Sequence, residues 1–133
     1  MDLVVEPLSE IPIYQQIRDR IVEMIATGAL LPGDALASVR TLSKALGVNP
    51  ATVVKSFDLL RHEGFVVTNR RVGTVVAEVS PADPLSQDWT QRLHTLLAEA
   101  LARGASTADI LDACREHLDT SPATPTPQKG TAR

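Results

Sequence analysis

Four polar residues, Asn49, Thr52, Lys55 and Ser56, crowd into residues 49–56, with the apolar Val53 and Phe57 set among them. Val53 and Phe57 are four apart, so on a helix they share one face and turn an amide, two hydroxyls and an ammonium away from it. Such groups hydrogen-bond to base edges and to phosphate oxygens. Ala51 offers only a methyl, suited to thymine, and Pro50 offers shape rather than chemistry. Two plainer readings stand beside these: Asn49 as a helix cap, and Lys55 as a solvated cation.

Arg40 comes two residues after Ser38, in the first turn of the preceding helix, where the positive end of the helix dipole disfavours a cation. A partner anion removes that penalty. A DNA phosphate or a guanine edge is one candidate, and a surface ion pair is the other. Arg70 and Arg71 stand together just before Gly73, on a stretch that reads as a loop tip able to reach along a backbone into a minor groove. Gly73 lets that loop turn with no side chain in the way. The net charge of −3 argues against nucleic acid at first sight, because such binding draws on Lys and Arg. Its distribution reverses the argument: from Arg40 to Arg71 there are six basic residues against two acids.

No catalytic constellation accompanies these residues. His62, His94 and His117 are scattered without the close spacing of metal ligands, no Ser or Cys has an evident base, and there is no glycine-rich phosphate loop. The expectation is therefore a non-enzyme with no cofactor. His62 is expected on the exposed side of its helix. Cys114, the only cysteine, cannot close an intrachain disulfide and reads as a small buried apolar residue rather than a redox switch.

The elements that must position these side chains follow from hydrophobic spacing. Ile13, Ile17, Ile21, Met24 and Ile25 draw one stripe of a first helix, which Gly28 stops, and residues 29–34 read as a turn. Ser38 caps a short second helix with Val39, Leu42 and Leu46 inward, closed by Gly47. Only Val48 separates it from Asn49, the cap of a third helix that carries Pro50 at its first position, buries Val53, Phe57 and Leu60, and ends at Gly64. Two helices joined so tightly form a helix-turn-helix. Residues 65–68 and 74–79 then read as strands around a turn at 69–73. Three helices followed by a basic-tipped hairpin are the element order of a winged helix.

Pro81 and Pro84 punctuate the end of that unit. Leu85, Trp89, Leu93, Leu96, Leu97, Ala100 and Leu101 trace a long amphipathic helix that Gly104 breaks, and Ser106 or Thr107 caps a last helix with Ile110, Leu111, Cys114 and Leu118 on one side. This apolar face exceeds what a small head covers. Packing against a second copy through Leu85, Trp89, Leu93, Leu96, Leu97, Leu101, Ile110, Leu111 and Cys114 is the first reading, and folding back onto the chain's own head is the second. The expected organisation is a winged helix-turn-helix over 1–79, a helical dimerisation region over 80–118 and a disordered Ser, Thr, Pro and Ala tail over 119–133. The fold class is mainly α with a small β-hairpin.

At 133 residues there is room for one compact domain and an appendage, and an aromatic content of 3% calls for an aliphatic core. The first ten residues carry three acids and no Lys or Arg, unlike a secretory signal, and no stretch approaches a membrane span. A reducing cytoplasm is the simplest setting, with no membrane partner.

The pattern resembles the GntR family of bacterial regulators, and within it the small YtrA-like branch. The likeness covers residues 3–79. It rests on Ser9 with Pro12-Ile13-Tyr14-Gln15-Gln16-Ile17, on Pro32-Gly33, on Ser38-Val39-Arg40 with Leu42, on Leu46-Gly47-Val48-Asn49-Pro50 with Thr52-Val53, on Leu60 with Glu63-Gly64, and on Gly73-Thr74. The resemblance implies a homodimeric repressor, or less often an activator, on an inverted repeat in double-stranded DNA. It also implies DNA contacts at Arg40, at Asn49 to Thr52, at Lys55 and in the wing before Gly73. Some relatives carry arginine where this chain has Val54, and a polar residue is common where it has Ala51. Larger branches bind metabolites in a C-terminal domain; residues 80–133 are too short for one, and any small-molecule effector is left open. A winged helix used only for protein interaction is the competing class.

Overall fold

The computed structural model describes residues 2–78 and 84–119. The end of the second expected strand at Val79, the boundary at Pro81 and the expected disorder from residue 120 onward lie outside the described residues. The chain divides into two units, Met1–Ser80 and Pro81–Arg133.

The first unit runs α1 (Ile13–Ala26), α2 (Val39–Leu46), α3 (Pro50–His62), β1 (Val66–Asn69) and β2 (Gly73–Val76). It is a winged helix-turn-helix. The helix stripes meet in one aliphatic core: Ile17 and Ile21 from α1, Leu42 from α2, and Val53, Phe57 and Leu60 from α3, closed by Val66 and Val76 of the hairpin. Leu30 and Leu36, from the connection between α1 and α2, are buried in the same cluster, so that connection is more than a surface turn. Both α1 and α2 pack on α3, which is therefore the central helix.

Each helix stops where backbone chemistry stops it. Gly47 takes the left-handed conformation at φ 68° after α2, and its N–H donates to the Ser43 carbonyl. α1 begins without a side-chain cap, and the Pro12 carbonyl accepts from Gln15 and Gln16 N–H at 3.0 Å each. The buried amide of Gln16 instead fastens the preceding segment. It accepts from Glu6 N–H at 2.7 Å and donates to the carbonyls of Glu6 (3.0 Å) and Ile11 (2.7 Å), and Leu3 and Val5 pack against the core.

The antiparallel hairpin pairs Val66 with Val76 and Asn69 with Gly73. Its other edge is also engaged. Residues 33–36 run along β2, with Gly33 N–H to Val76 O (2.9 Å), Val76 N–H to Asp34 O (2.8 Å) and Leu36 N–H to Thr74 O (2.8 Å), and Ala35 bridges Val75. The sheet thus leads directly into the cap of α2.

The second unit holds α4 (Gln87–Ala102) and α5 (Thr107–Asp119). Ser86 Oγ accepts from Trp89 N–H at 3.1 Å to start α4, and Ser106 Oγ accepts from Asp109 N–H at 3.0 Å to start α5. Leu85 therefore precedes the cap and lies outside α4, a correction to its expected place on the helix: with the capping hydroxyl at Ser86 the helix starts at Gln87. None of the residues of α4 or α5 is buried. Cys114 is exposed, contrary to the expected buried position, because its face of α5 has no covering element among the described residues.

Candidate nucleic-acid interface

Asn49 starts α3 by accepting from Ala51 N–H at 2.8 Å through Oδ1, while its carbonyl accepts from Thr52 N–H at 2.9 Å. Among the described residues the amide nitrogen of Asn49 has no hydrogen-bond partner. Pro50, Ala51 and Lys55 are exposed beside it and Thr52 is half-buried. The turn before this helix is strapped: Ser43 Oγ donates to Val48 O at 2.5 Å and Val48 N–H donates to Ser43 O at 3.1 Å. The two bonds between Ser43 and Val48 hold the turn against the end of α2, immediately before the Asn49 cap of α3.

Ser56 does not join this surface. Its residue exposure is 0%, and Oγ donates to the Tyr14 carbonyl at 2.8 Å, with the Thr52 carbonyl at 3.1 Å. Its expected DNA contact is corrected here. A hydroxyl on the inner side of α3 is satisfied by the backbone of α1 and faces no solvent.

Ser38 caps α2, accepting from Thr41 N–H at 3.0 Å and donating to Thr41 Oγ1 at 2.9 Å. Its hydroxyl is thus committed to the helix start, which presents Arg40 in the first turn. That turn contains no acidic residue. Arg40 is exposed, and among the described residues it has no ion pair and no side-chain hydrogen bond.

The wing tip spans residues 70–72. Asn69 Oδ1 accepts from Arg71 N–H (2.8 Å) and Val72 N–H (3.2 Å), and Gly73 returns the chain to the sheet at φ 94°. Arg70 and Arg71 project from this folded tip, exposed and unpaired among the described residues. Asn69 was missed as a site-shaping residue, although an Asn ahead of a tight loop is a readable signal for such a turn.

Arg40, Arg70 and Arg71 differ from the other arginines of this unit. Arg18 pairs with Glu63 and Asp19, Arg20 with Glu23, and Arg61 with Asp58. Burial works against the charge of Arg18, yet its hydrogen bonds to Glu63 and Asp19 outweigh that and raise its pKa above the ordinary arginine value. The hydrogen bond from Arg20 to Glu23, within α1, raises the pKa of that arginine as well. The arginines of this unit without a carboxylate partner among the described residues are those on α2 and the wing.

In the second unit, Leu93, Leu97 and Leu101 of α4 and Thr107, Ile110, Leu111 and Cys114 of α5 line an apolar groove of about 340 Å³. Trp89 and Leu96 border a second hollow with Arg92 and Leu93. Among the described residues no cluster of His, Cys, Asp or Glu is placed to hold a metal, and no helix is long and apolar enough to cross a membrane.

Comparison with known proteins places this geometry. Residues 13–76 match the family of bacterial regulatory proteins named gntR. The transcriptional repressor YtrA of Bacillus subtilis (strain 168) is 40% identical over 74 residues, covering 56% of this chain and 57% of that protein. The chain thus spans little more than half the length of that relative. The structure of YtrA from Sulfolobus acidocaldarius, a GntR-family transcription factor, superposes with a TM-score of 0.60 at 40% identity, over 75% of this chain and 97% of the other. The structure of AraR(DBD) in complex with operator ORX1 superposes with a TM-score of 0.50 at 31% identity, over 56% of this chain and 93% of the other. With its strapped helix pair, its wing and these likenesses, the chain belongs to the GntR family of transcription regulators, on the YtrA-like branch.

Proposed function

We propose that this chain is a homodimeric repressor that reads an inverted repeat in double-stranded DNA. The N-terminal half of α3 enters the major groove with Asn49, Ala51, Thr52 and Lys55 toward base edges and phosphates, in the manner of a recognition helix. Pro50 sets the first turn of that helix, and Ser38 holds the first turn of α2. Arg40 meets the duplex from α2, and Arg70 and Arg71 reach the backbone and the adjacent minor groove from the wing, with Gly73 as the pivot of the tip.

One observation carries this reading. Within the first unit the arginines of α1 and α3 are matched to carboxylates, whereas Arg40, Arg70 and Arg71 are exposed and have no counter-charge among the described residues. Uncompensated cations flanking a polar helix start suit a polyanion. The operator complex of AraR(DBD) supports the same choice of partner.

The tail supplies the second copy. An apolar groove lined by Leu93, Leu97, Leu101, Ile110, Leu111 and Cys114, with Trp89 and Leu96 beside it, leaves α4 and α5 without a buried residue. Pairing two tails covers that surface, and Leu85 extends it. Two-fold pairing then sets half-sites about one helical turn apart.

Selection of bound duplexes from random DNA, followed by fluorescence anisotropy on the selected and scrambled sequences, tests the proposal. The expected outcome is a palindromic consensus bound in preference to the scramble, with affinity falling steeply as salt rises. Absence of binding to every duplex at low ionic strength refutes it.

A further inference from the structure

The ammonium of Lys55 lies 4.0 Å from the centroid of the Tyr14 ring. Lys55 is exposed on α3 and has no carboxylate partner among the described residues. Tyr14 stands in the first turn of α1, half-buried, and its carbonyl receives the buried Ser56 hydroxyl at 2.8 Å. Ser56 follows Lys55 directly in the chain. One turn of α3 therefore both anchors the Tyr14 backbone and extends its own cation across the Tyr14 ring.

The chemistry of that contact matters for a phosphate-binding surface. A carboxylate partner would hold a lysine in place but would cancel its charge and repel a nearby phosphate. An aromatic face attracts the ammonium through its quadrupole and leaves the net charge intact. It also restricts a side chain that otherwise loses considerable rotamer freedom when it is pinned by a ligand.

The geometry points to Tyr14 as a positioning residue for DNA binding: its ring holds the Lys55 ammonium, still fully charged, against the phosphate backbone beside the start of α3. Ser56 completes the device from within by fixing the Tyr14 main chain. This inference rests on the DNA-binding reading given above.

Four variants of the full chain, each first checked for an unchanged fold by circular dichroism and thermal melting, test it by anisotropy over a salt series. Tyr14→Leu weakens binding about 3- to 10-fold, the range expected of a cation–π contact. Tyr14→Phe, which keeps the ring, stays within about 2-fold of the parent. Lys55→Ala lowers the salt slope by about one. The double variant, Tyr14→Leu with Lys55→Ala, is no weaker than Lys55→Ala alone by more than about 2-fold, because the ring acts only through the cation.

Ring-current displacement of the Lys55 ε-methylene NMR signals, present in the parent and in Tyr14→Phe and absent in Tyr14→Leu, reads the contact without any DNA. Parent-like DNA affinity in Tyr14→Leu, or equal additive losses in the double variant, overturns the role of Tyr14 while leaving DNA binding intact. Failure of the parent to bind any duplex, with the ring-current shift present, overturns the DNA reading itself and this inference with it.

Discussion

Arg18 of α1 grips Glu63 at the end of α3 with two hydrogen bonds, Nε to Oε1 at 2.8 Å and Nη2 to Oε2 at 3.2 Å. The same guanidinium lies 5.5 Å from the Phe65 ring centroid and reaches Asp19 at 3.0 Å. One side chain thereby joins α1, the C-cap of α3 and the entry to the wing. Glu63 is the C-cap residue of α3, so the pair fixes the end of that helix opposite the proposed recognition end.

Arg18→Ala is expected to destabilise the first unit by about 1 to 3 kcal/mol, the range for charge-assisted hydrogen bonds partly shielded from water. Chemical denaturation monitored by circular dichroism measures it. The sign of the pH dependence follows from the raised pKa of Arg18. A cation whose pKa is higher folded than unfolded contributes stability that is complete below its ordinary pKa and fades only as pH rises through the folded value. The Arg18 contribution is therefore flat across neutral pH, and a parent-minus-variant difference that changed between mildly acidic and mildly alkaline buffer would contradict this assignment.

Arg40→Ala leaves stability within about 0.5 kcal/mol, because the side chain has no partner among the described residues to lose. On the selected operator it weakens binding by about 1 to 3 kcal/mol if Arg40 reads a base. A weakening of the same size on scrambled duplexes instead identifies a phosphate contact. Unchanged anisotropy on both removes Arg40 from the interface.

Asn69→Ala separates the shape of the wing from its charge. It deletes the acceptor for Arg71 and Val72 N–H, costing about 0.5 to 1.5 kcal/mol of local order, yet it retains Arg70 and Arg71. Operator affinity is expected to fall several-fold with the salt slope nearly unchanged, whereas replacing Arg70 and Arg71 by Ala lowers the slope by about one for each phosphate no longer neutralised. Identical salt slopes in all of these variants would exclude the wing arginines from the backbone.

Leu97→Glu places a carboxylate in the apolar groove of the tail. Sedimentation velocity should show monomers where the parent sediments as a dimer, with binding to the inverted repeat at least ~10-fold weaker and binding to an isolated half-site retained. A parent that is monomeric at all accessible concentrations refutes tail pairing.

The helix-turn-helix was legible because its signals are local. Ser38, Gly47, Asn49 and Pro50 act within a few residues of themselves, and the stripe of Val53, Phe57 and Leu60 needs only helical spacing. What escaped reading depends on residues far apart in the chain. Ser56 carries a polar side chain at a position that helical spacing alone leaves ambiguous, and its burial is decided by a carbonyl 42 residues away. The Arg18 and Glu63 pair spans 45 residues. Residues 32–36 carry turn signals in Pro32 and Gly33, and only the hairpin beside residues 33–36 makes that stretch extended. In the tail, Leu85 carries the right residue type one position ahead of the capping Ser86, and spacing alone does not reveal a cap.

The lacing of residues 33–36 along β2 has a consequence for the proposed docking on a duplex. A hairpin held only at its base swings like a flap; this one is also sewn along the outer edge of β2, and the seam runs on into the segment that carries Ser38 and Arg40. The wing and the first turn of α2 therefore move as a single stiff jaw of set gape. On the proposed DNA-binding reading, a target whose spacing does not match that gape must itself bend, and sequences that bend with little resistance are then favoured at steps no side chain touches.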